Sequence, residues 1–226
     1  MADSKPRLTY TAGRGLASVV RIALAAAKIE YEDAYLTTRE DFLKLIETGK
    51  LMFKQVPLLE IDGKNLIGSD CIVRYVCKKG GLMGKTADEE IKIEMMSMGA
   101  RDMLKAGFVM HRYVEPEKQD QELQGGLKEA RERYLPVFEK TLTDNRSGFL
   151  VGDSLSMADI VFYDSVSIIS DDPALEKELA NFPKCRAFIE HFRSQPGLKE
   201  FMAGPRNFPP PSDEHVQEVK GVFLIP

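Results

Sequence analysis

Gln55-Val56-Pro57-Leu58-Leu59-Glu60-Ile61-Asp62-Gly63-Lys64-Asn65-Leu66-Ile67-Gly68-Ser69-Asp70 holds a strand, a turn, a second strand and a helix start in sixteen residues. Two apolar runs, residues 58–61 and Leu66-Ile67, flank Asp62-Gly63. Asp-Gly between such runs marks a tight hairpin, because the turn needs positive φ at its central residues. Pro57 stands before the first strand. It has no N–H to give, an X-Pro bond is where a cis peptide is cheap, and the N–H and C=O of Val56 stay free for an extended ligand backbone. Ser69-Asp70 then opens a helical run through Ile72, Val73, Tyr75 and Val76, and either residue can cap it. A helix N-terminus offers free N–H groups and partial positive charge, so it suits an anionic ligand group.

On the N-terminal side, Leu8-Thr9-Tyr10 reads as a strand broken by Gly13-Arg14-Gly15. Apolar residues at helical spacing run from Leu16 to Ala27. Residues 32–36 read as a second strand, and residues 39–46 as a helix that Gly49 ends. The order β-α-β-α-β-β-α combines parallel crossovers with a hairpin. Gly80-Gly81-Leu82-Met83-Gly84 breaks the chain, and the pattern beyond it is helical only. We therefore expect domains at residues 1–83 and 84–226. Residues 89–110 form one long helical pattern, and residues 123–142 another with Leu127, Ala130, Tyr134, Val137 and Phe138 as its inner stripe. Ser156-Met157-Ala158-Asp159 is a capping box with Leu155 and Ile160 as its staple, a folding element rather than a catalytic one. Residues 182–193 and 198–202 continue the helices. Residues 205–211 are a stiff connector, and residues 213–223 a last amphipathic helix.

The 226 residues carry a net charge of −4, which argues against a generally basic nucleic-acid binder. No run approaches the ~18 apolar residues of a membrane span. The start Met-Ala-Asp-Ser-Lys-Pro has no signal-peptide core, so a cytoplasmic protein is expected. Cys71, Cys77 and Cys185 show no metal-ligand spacing; Cys71 and Cys77 are expected to be packing residues of one helix.

A small mixed sheet with Pro before its third strand, followed by a helical domain, resembles the cytosolic glutathione transferases. The local motifs carry the likeness along nearly the whole chain: Leu8-Thr9-Tyr10 with Gly13-Arg14-Gly15, Leu24-Ala25-Ala26-Ala27, Leu51-Met52-Phe53, Gln55-Val56-Pro57, Glu60-Ile61-Asp62-Gly63, Arg133-Tyr134, Leu150-Val151-Gly152 and Ser156–Asp159. Most look like the alpha class, whereas Gly15-Leu16-Ala17 is similar to the mu class. The resemblance implies an α/β thioredoxin-like N-terminal domain, an all-α C-terminal domain, and a dimeric transferase with glutathione as co-substrate, no cofactor and no metal. By resemblance Tyr10 is the catalytic hydroxyl that donates to the glutathione sulfur and favours its thiolate. An isolated strand Tyr is otherwise a core residue. Val56 pairs its backbone with the cysteinyl part beside Pro57, and Gln55 and Ser69 hold the γ-glutamyl end. Asp102 reaches that end from the partner subunit, with Arg133 at a neighbouring basic position. Arg14 is structural.

Three positions depart from the alpha pattern: Leu16 and Ile46 stand where that class has arginines, and Gly68 replaces a glutamine. Lys44, Lys50 or Lys54 can cover the glycyl carboxylate, and Lys54 is the choice because it lies nearest Gln55. A lost hydrogen bond to a charged group costs about ten-fold or more in affinity unless compensated. The resemblance assigns the walls of the hydrophobic electrophile site to Thr11, Gly13, Phe108, His111, Val219, Phe223 and Ile225. Phe53 resembles the aromatic key that enters the partner of a homodimer. The departures favour a rival, a non-catalytic ligand-binding or crystallin-like structural descendant; glutathione-dependent isomerase or peroxidase activity is a near relative of transfer. A thiol–disulfide oxidoreductase needs a cysteine near residues 10–13, and none is there.

Overall fold

The computed structural model describes residues 5–105, 111–171 and 176–224. The Asp62-Gly63 turn forms as its residue types require, with φ of 51° and 70°. It joins β3 (Leu58–Ile61) to β4 (Lys64–Ile67) in antiparallel register, Leu58 opposite Ile67 and Ile61 opposite Lys64. β1 (Arg7–Tyr10) lies antiparallel to β3 and parallel to β2 (Glu32–Tyr35), giving the sheet order β2-β1-β3-β4.

The β1–β2 crossover runs through a 3-10 turn (Gly15–Ala17) and helix α1 (Ser18–Ala26). Val19, Val20, Ile22, Ala23 and Leu24 of α1 are buried against the sheet and against α3 (Ser69–Lys79). On α1, Arg21 is fully buried: it pairs with Asp33 of β2 at 2.7 Å and donates to the carbonyls of Gly13 and Thr11. That pairing holds the loop after β1 in place, since a buried guanidinium persists only when its donors are satisfied. Helix α2 (Arg39–Glu47) starts at a capping box in which the Thr38 hydroxyl accepts from the Asp41 N–H.

Helix α4 (Ala87–Lys105) packs on the central buried helix α7 (Met157–Ser170), where the Ser165 hydroxyl donates to the carbonyl of Ala100. The long helix expected over residues 123–142 is α5 (Pro116–Glu129) and α6 (Leu135–Asn145) joined through a π-helical turn at Ala130–Tyr134. The wider turn rotates the helix beyond it, so Leu135, Phe138 and Leu142 face the core while Val137 is exposed, contrary to the expected stripe. The capping box is present: the Asp159 carboxylate accepts from the N–H and hydroxyl of Ser156 and from the N–H of Leu150. Helices α8 (Pro183–Arg193) and α9 (Leu198–Ala203) come next, then α10 (Asp213–Phe223). The last helix returns to the first half of the chain, where Val222 and Phe223 pack with Leu36, Phe42 and Leu58 in a small separate core.

Two other expectations from sequence are not met. Neither Ser69 nor Asp70 caps α3; Gly68, at φ 77°, holds the N-cap position, and Ser69 is the first helical residue. Cys71 is exposed, because the buried face of α3 runs through Ser69, Ile72, Val73, Val76 and Cys77 and leaves it aside. Cys77 is buried as expected, and burial pushes its thiol up to about 12. Among the described residues, no helix is long and apolar enough to cross a membrane, and no group of three or more His, Cys, Asp or Glu is arranged to hold a metal.

Candidate active site

Tyr10 closes β1, and its side chain turns under the Gly15-Leu16 backbone. The Leu16 N–H donates to the Tyr10 hydroxyl oxygen at 3.2 Å. Gly15 sits at φ 42°, and a Cβ there would lie 2.6 Å from that oxygen, so only glycine lets the loop approach this closely. Burial pushes the Tyr10 ionisation above the ordinary tyrosine range, against the pull of the Leu16 N–H. The hydroxyl therefore keeps its proton at neutral pH. With its oxygen already accepting from Leu16, it has that proton to donate.

Tyr10 stands between two cavities. The larger holds about 720 Å³ and is lined along one side by Lys54, Gln55, Val56 and Pro57, with the Val56-Pro57 bond cis. Gly68, Ser69 and Asp70, at the N-terminus of α3, line its far end together with Arg101 of α4. The smaller holds about 120 Å³ between the β1 loop and the helical half. Tyr10, Gly15, Leu104, Tyr113 and Val219 line both. A thiol in the larger cavity and an acceptor atom in the smaller can thus meet at one hydroxyl.

The residues expected at the glutathione-binding end divide clearly. Lys54, Gln55, Val56, Pro57 and Ser69 line the larger cavity with Tyr10. Of the alternative lysines, Lys44 pairs with Glu40 and Lys50 with Glu60, whereas Lys54 faces the cavity. Asp102 and Arg133 belong to neither lining. Asp102 is exposed on α4, and Arg133 pairs with Glu129 on the π-helical turn. Their assigned role needs a second subunit.

Of the expected electrophile walls, Thr11 and His111 line the smaller cavity, Val219 both and Phe223 the larger. Phe108 and Ile225 lie outside the described residues. Gly13 lines neither cavity: the His215 ring of α10 occupies the space where a Cβ on Gly13 would stand, and His215 itself lines the smaller cavity. Arg14 ties the loop to the helical half, donating to Asp171 at 2.5 Å and to the carbonyl of Phe208 at 2.7 Å.

Sequence reading missed Tyr113, His215, Arg112 and Arg101. None sits in a motif beside Tyr10 or Pro57; each arrives from a helical segment that only tertiary packing brings there. The smaller cavity is consequently more polar than expected, with Arg14, His111, Arg112, Tyr113 and His215 among its walls. Burial also raises the Tyr113 ionisation, so this second hydroxyl stays protonated near Tyr10.

A thioredoxin-like sheet with the Gln55-Val56-Pro57 segment and a helix N-terminus lining one cavity, closed by a helical half beside a buried tyrosine hydroxyl, defines a two-domain protein of mixed-sheet and helical halves. Relatives of known identity share this arrangement. The glutathione S-transferase N-terminal domain matches residues 6–78, and the glutathione S-transferase C-terminal domain matches residues 101–205. Glutathione S-transferase A4 of Bos taurus is 36% identical over 226 residues, covering 98% of this chain and 99% of the relative. The solved glutathione S-transferase of Ascaris lumbricoides superposes with a TM-score of 0.77 at 32% identity, covering 89% of this chain and 100% of that one. A glutathione S-transferase of Necator americanus described as monomeric, Na-GST-3, gives 0.76 at 31% identity, covering 88% and 97%. The chain belongs to the glutathione S-transferase family and is an enzyme of that fold.

Proposed function

We propose that the chain conjugates glutathione to hydrophobic electrophiles through Tyr10, a detoxification chemistry. The observation that carries this reading is the position of Tyr10, whose protonated hydroxyl lies at the junction of the two cavities. Glutathione lies along the larger cavity. Its cysteinyl backbone pairs with Val56, its glycyl carboxylate meets Lys54, and its γ-glutamyl end meets Gln55 and Ser69. The Tyr10 O–H donates to the sulfur and favours the thiolate. The thiolate attacks an electrophilic carbon of a substrate in the smaller cavity, by substitution with loss of a leaving group or by conjugate addition followed by protonation of the adduct. Glutathione is consumed as co-substrate, with no cofactor and no metal in the proposed step.

The residues assigned to the electrophile are Thr11, His111 and Val219 in the smaller cavity, with Phe223, beside the Tyr10 ring, on the larger-cavity side. We further propose a cytoplasmic homodimer in which Phe53 enters the partner and Asp102 and Arg133 serve the partner's γ-glutamyl end. Phe53 and Met52 are among the most exposed apolar side chains, as are Met95 and Met98 on α4, and such side chains call for cover.

The test is thiolate absorbance during titration with glutathione from pH 5 to 9, with conjugation of a nitro-activated aryl chloride measured alongside. A thiolate at neutral pH together with turnover supports the reading. Saturable binding with neither favours the ligand-binding descendant instead.

A further inference from the structure

Arg101 lies towards the C-terminal end of α4, and its guanidinium closes the Ser69 end of the larger cavity. The residue is only 7% exposed. Nη2 donates to the Ser69 hydroxyl oxygen at 2.5 Å, Nε donates to the Asp70 carboxylate, and Nη1 lies 3.6 Å from the Asp164 carboxylate of α7. Asp164 is itself buried, and that burial raises its carboxyl above the usual range despite the facing arginine. No motif around residue 101 marks it for binding.

The donors of this guanidinium can be counted. It has five N–H groups, and hydrogen bonds within the described residues engage Nε and Nη2. Nη1 faces Asp164 as an ion pair, and Arg101 itself lines the cavity. Ser69, because its oxygen accepts from Arg101, turns its own hydrogen away from the arginine. The far end of the cavity therefore brings together a hydroxyl with a free hydrogen, a guanidinium ion-paired with Asp70 on one side and Asp164 on the other, and the N-terminus of the 11-residue α3. Gly68 at the N-cap has nothing within 4 Å of where a Cβ would stand, so it leaves that end open.

We infer that Arg101 is a specificity-determining residue of the γ-glutamyl subsite: it holds Ser69 in donor orientation and supplies positive charge to the α-carboxylate of the γ-glutamyl group. The inference rests on the glutathione reading and deepens it. The charge comes from the chain's own helical half, independently of any partner subunit. It compensates for the side-chain amide absent at Gly68. Both functions are lost without the guanidinium, and neither concerns the thiol or the glycyl end.

The test compares two thiol peptides by calorimetric titration: glutathione, and 4-aminobutanoyl-cysteinylglycine, which keeps the amine and lacks only the α-carboxylate. The wild-type chain binds glutathione more tightly. Arg101→Met lowers glutathione affinity by roughly ten- to a hundred-fold and leaves the carboxylate-free peptide unchanged, so the discrimination between them disappears. Arg101→Met leaves Asp164 as a buried unpaired acid, so Arg101→Met combined with Asp164→Asn is measured in parallel, with the same selective loss expected. Arg101→Lys retains part of the discrimination. Equal weakening of both peptides, or weakening of neither, overturns the inference and makes Arg101 a brace between the two halves. Failure of the wild-type chain to bind either peptide overturns the glutathione reading and the inference with it, a result the variants cannot mimic.

Discussion

The Leu16 backbone N–H donates to the hydroxyl oxygen of Tyr10 across 3.2 Å. The family resemblance puts an arginine of the alpha class at position 16; here the same position acts on the hydroxyl through its backbone. The proton of Tyr10 is thereby directed to the cleft. Tyr10→Phe should keep the fold, since the ring stays packed beside Phe223. A free thiol of this kind ionises near ~8.5. Losing a hydrogen bond to the thiolate should raise the bound thiol's pKa by about one to two units and slow conjugation at neutral pH by about ten-fold or more. The rate rises with pH as the thiolate forms, so the variant's profile should move to higher pH. An unmoved profile removes Tyr10 from its assigned role.

Gly15→Ala should mimic part of that loss without touching the hydroxyl. Its Cβ would fall 2.6 Å from the Tyr10 oxygen at a φ of 42°. The loop or the ring must shift, so stability should drop by about 1 kcal/mol. The thiol pKa should rise as in Tyr10→Phe. Melting curves and thiolate titration read the two effects separately, and a fully stable variant with a wild-type profile contradicts the close approach.

Asp159 is buried at the start of α7 and accepts from Leu150 and Ser156. Asp159→Ala leaves those donors without their acceptor and should cost about 1–3 kcal/mol, read by denaturant unfolding. Its pH behaviour has a definite sign. Burial raises the folded carboxyl to about 6, from an ordinary value of 3.8. A folded value above the unfolded one means that the folded state binds the proton more tightly in between. The contribution of this residue to stability therefore falls as pH rises from about 4 to 6. Asp159→Asn cannot titrate, so the wild type should gain stability relative to it on going from about pH 7 to pH 5. A constant difference across that window contradicts the raised value.

Phe53, 70% exposed, is the proposed dimer key. Sedimentation should show a dimer for the wild-type chain and a shift toward monomer for Phe53→Ala, with Tyr10 and the cavity lining intact. A monomeric wild-type chain would rule out the proposed roles of Asp102 and Arg133, while the Arg101 subsite would remain available.

Elements governed by neighbours in sequence were legible from the residues alone. Asp62-Gly63 dictates its turn because few residue pairs accept positive φ at both centres. Ser156 and Asp159 dictate the start of α7 because a cap is satisfied within four residues. The spacing of Val216, Val219 and Phe223 dictates an amphipathic α10. The family motifs likewise placed Tyr10, Gln55, Val56, Pro57 and Ser69, which all line the larger cavity. Tertiary structure decided the features that depend on distant partners. Arg101 and Ser69 are 32 residues apart and meet only because the fold sets α4 beside α3, where the ion pairs Arg101–Asp70 and Arg74–Glu94 join them. His215 covers Gly13 only because α10 folds back over the first half of the chain. The π-helical turn at Ala130–Tyr134 turns Val137 outward, which a regular 3.6-residue period cannot register. Local sequence sets φ, caps and amphipathic faces, since those energies are settled within a turn of chain. A cavity is the space left between elements, so its walls are determined by packing.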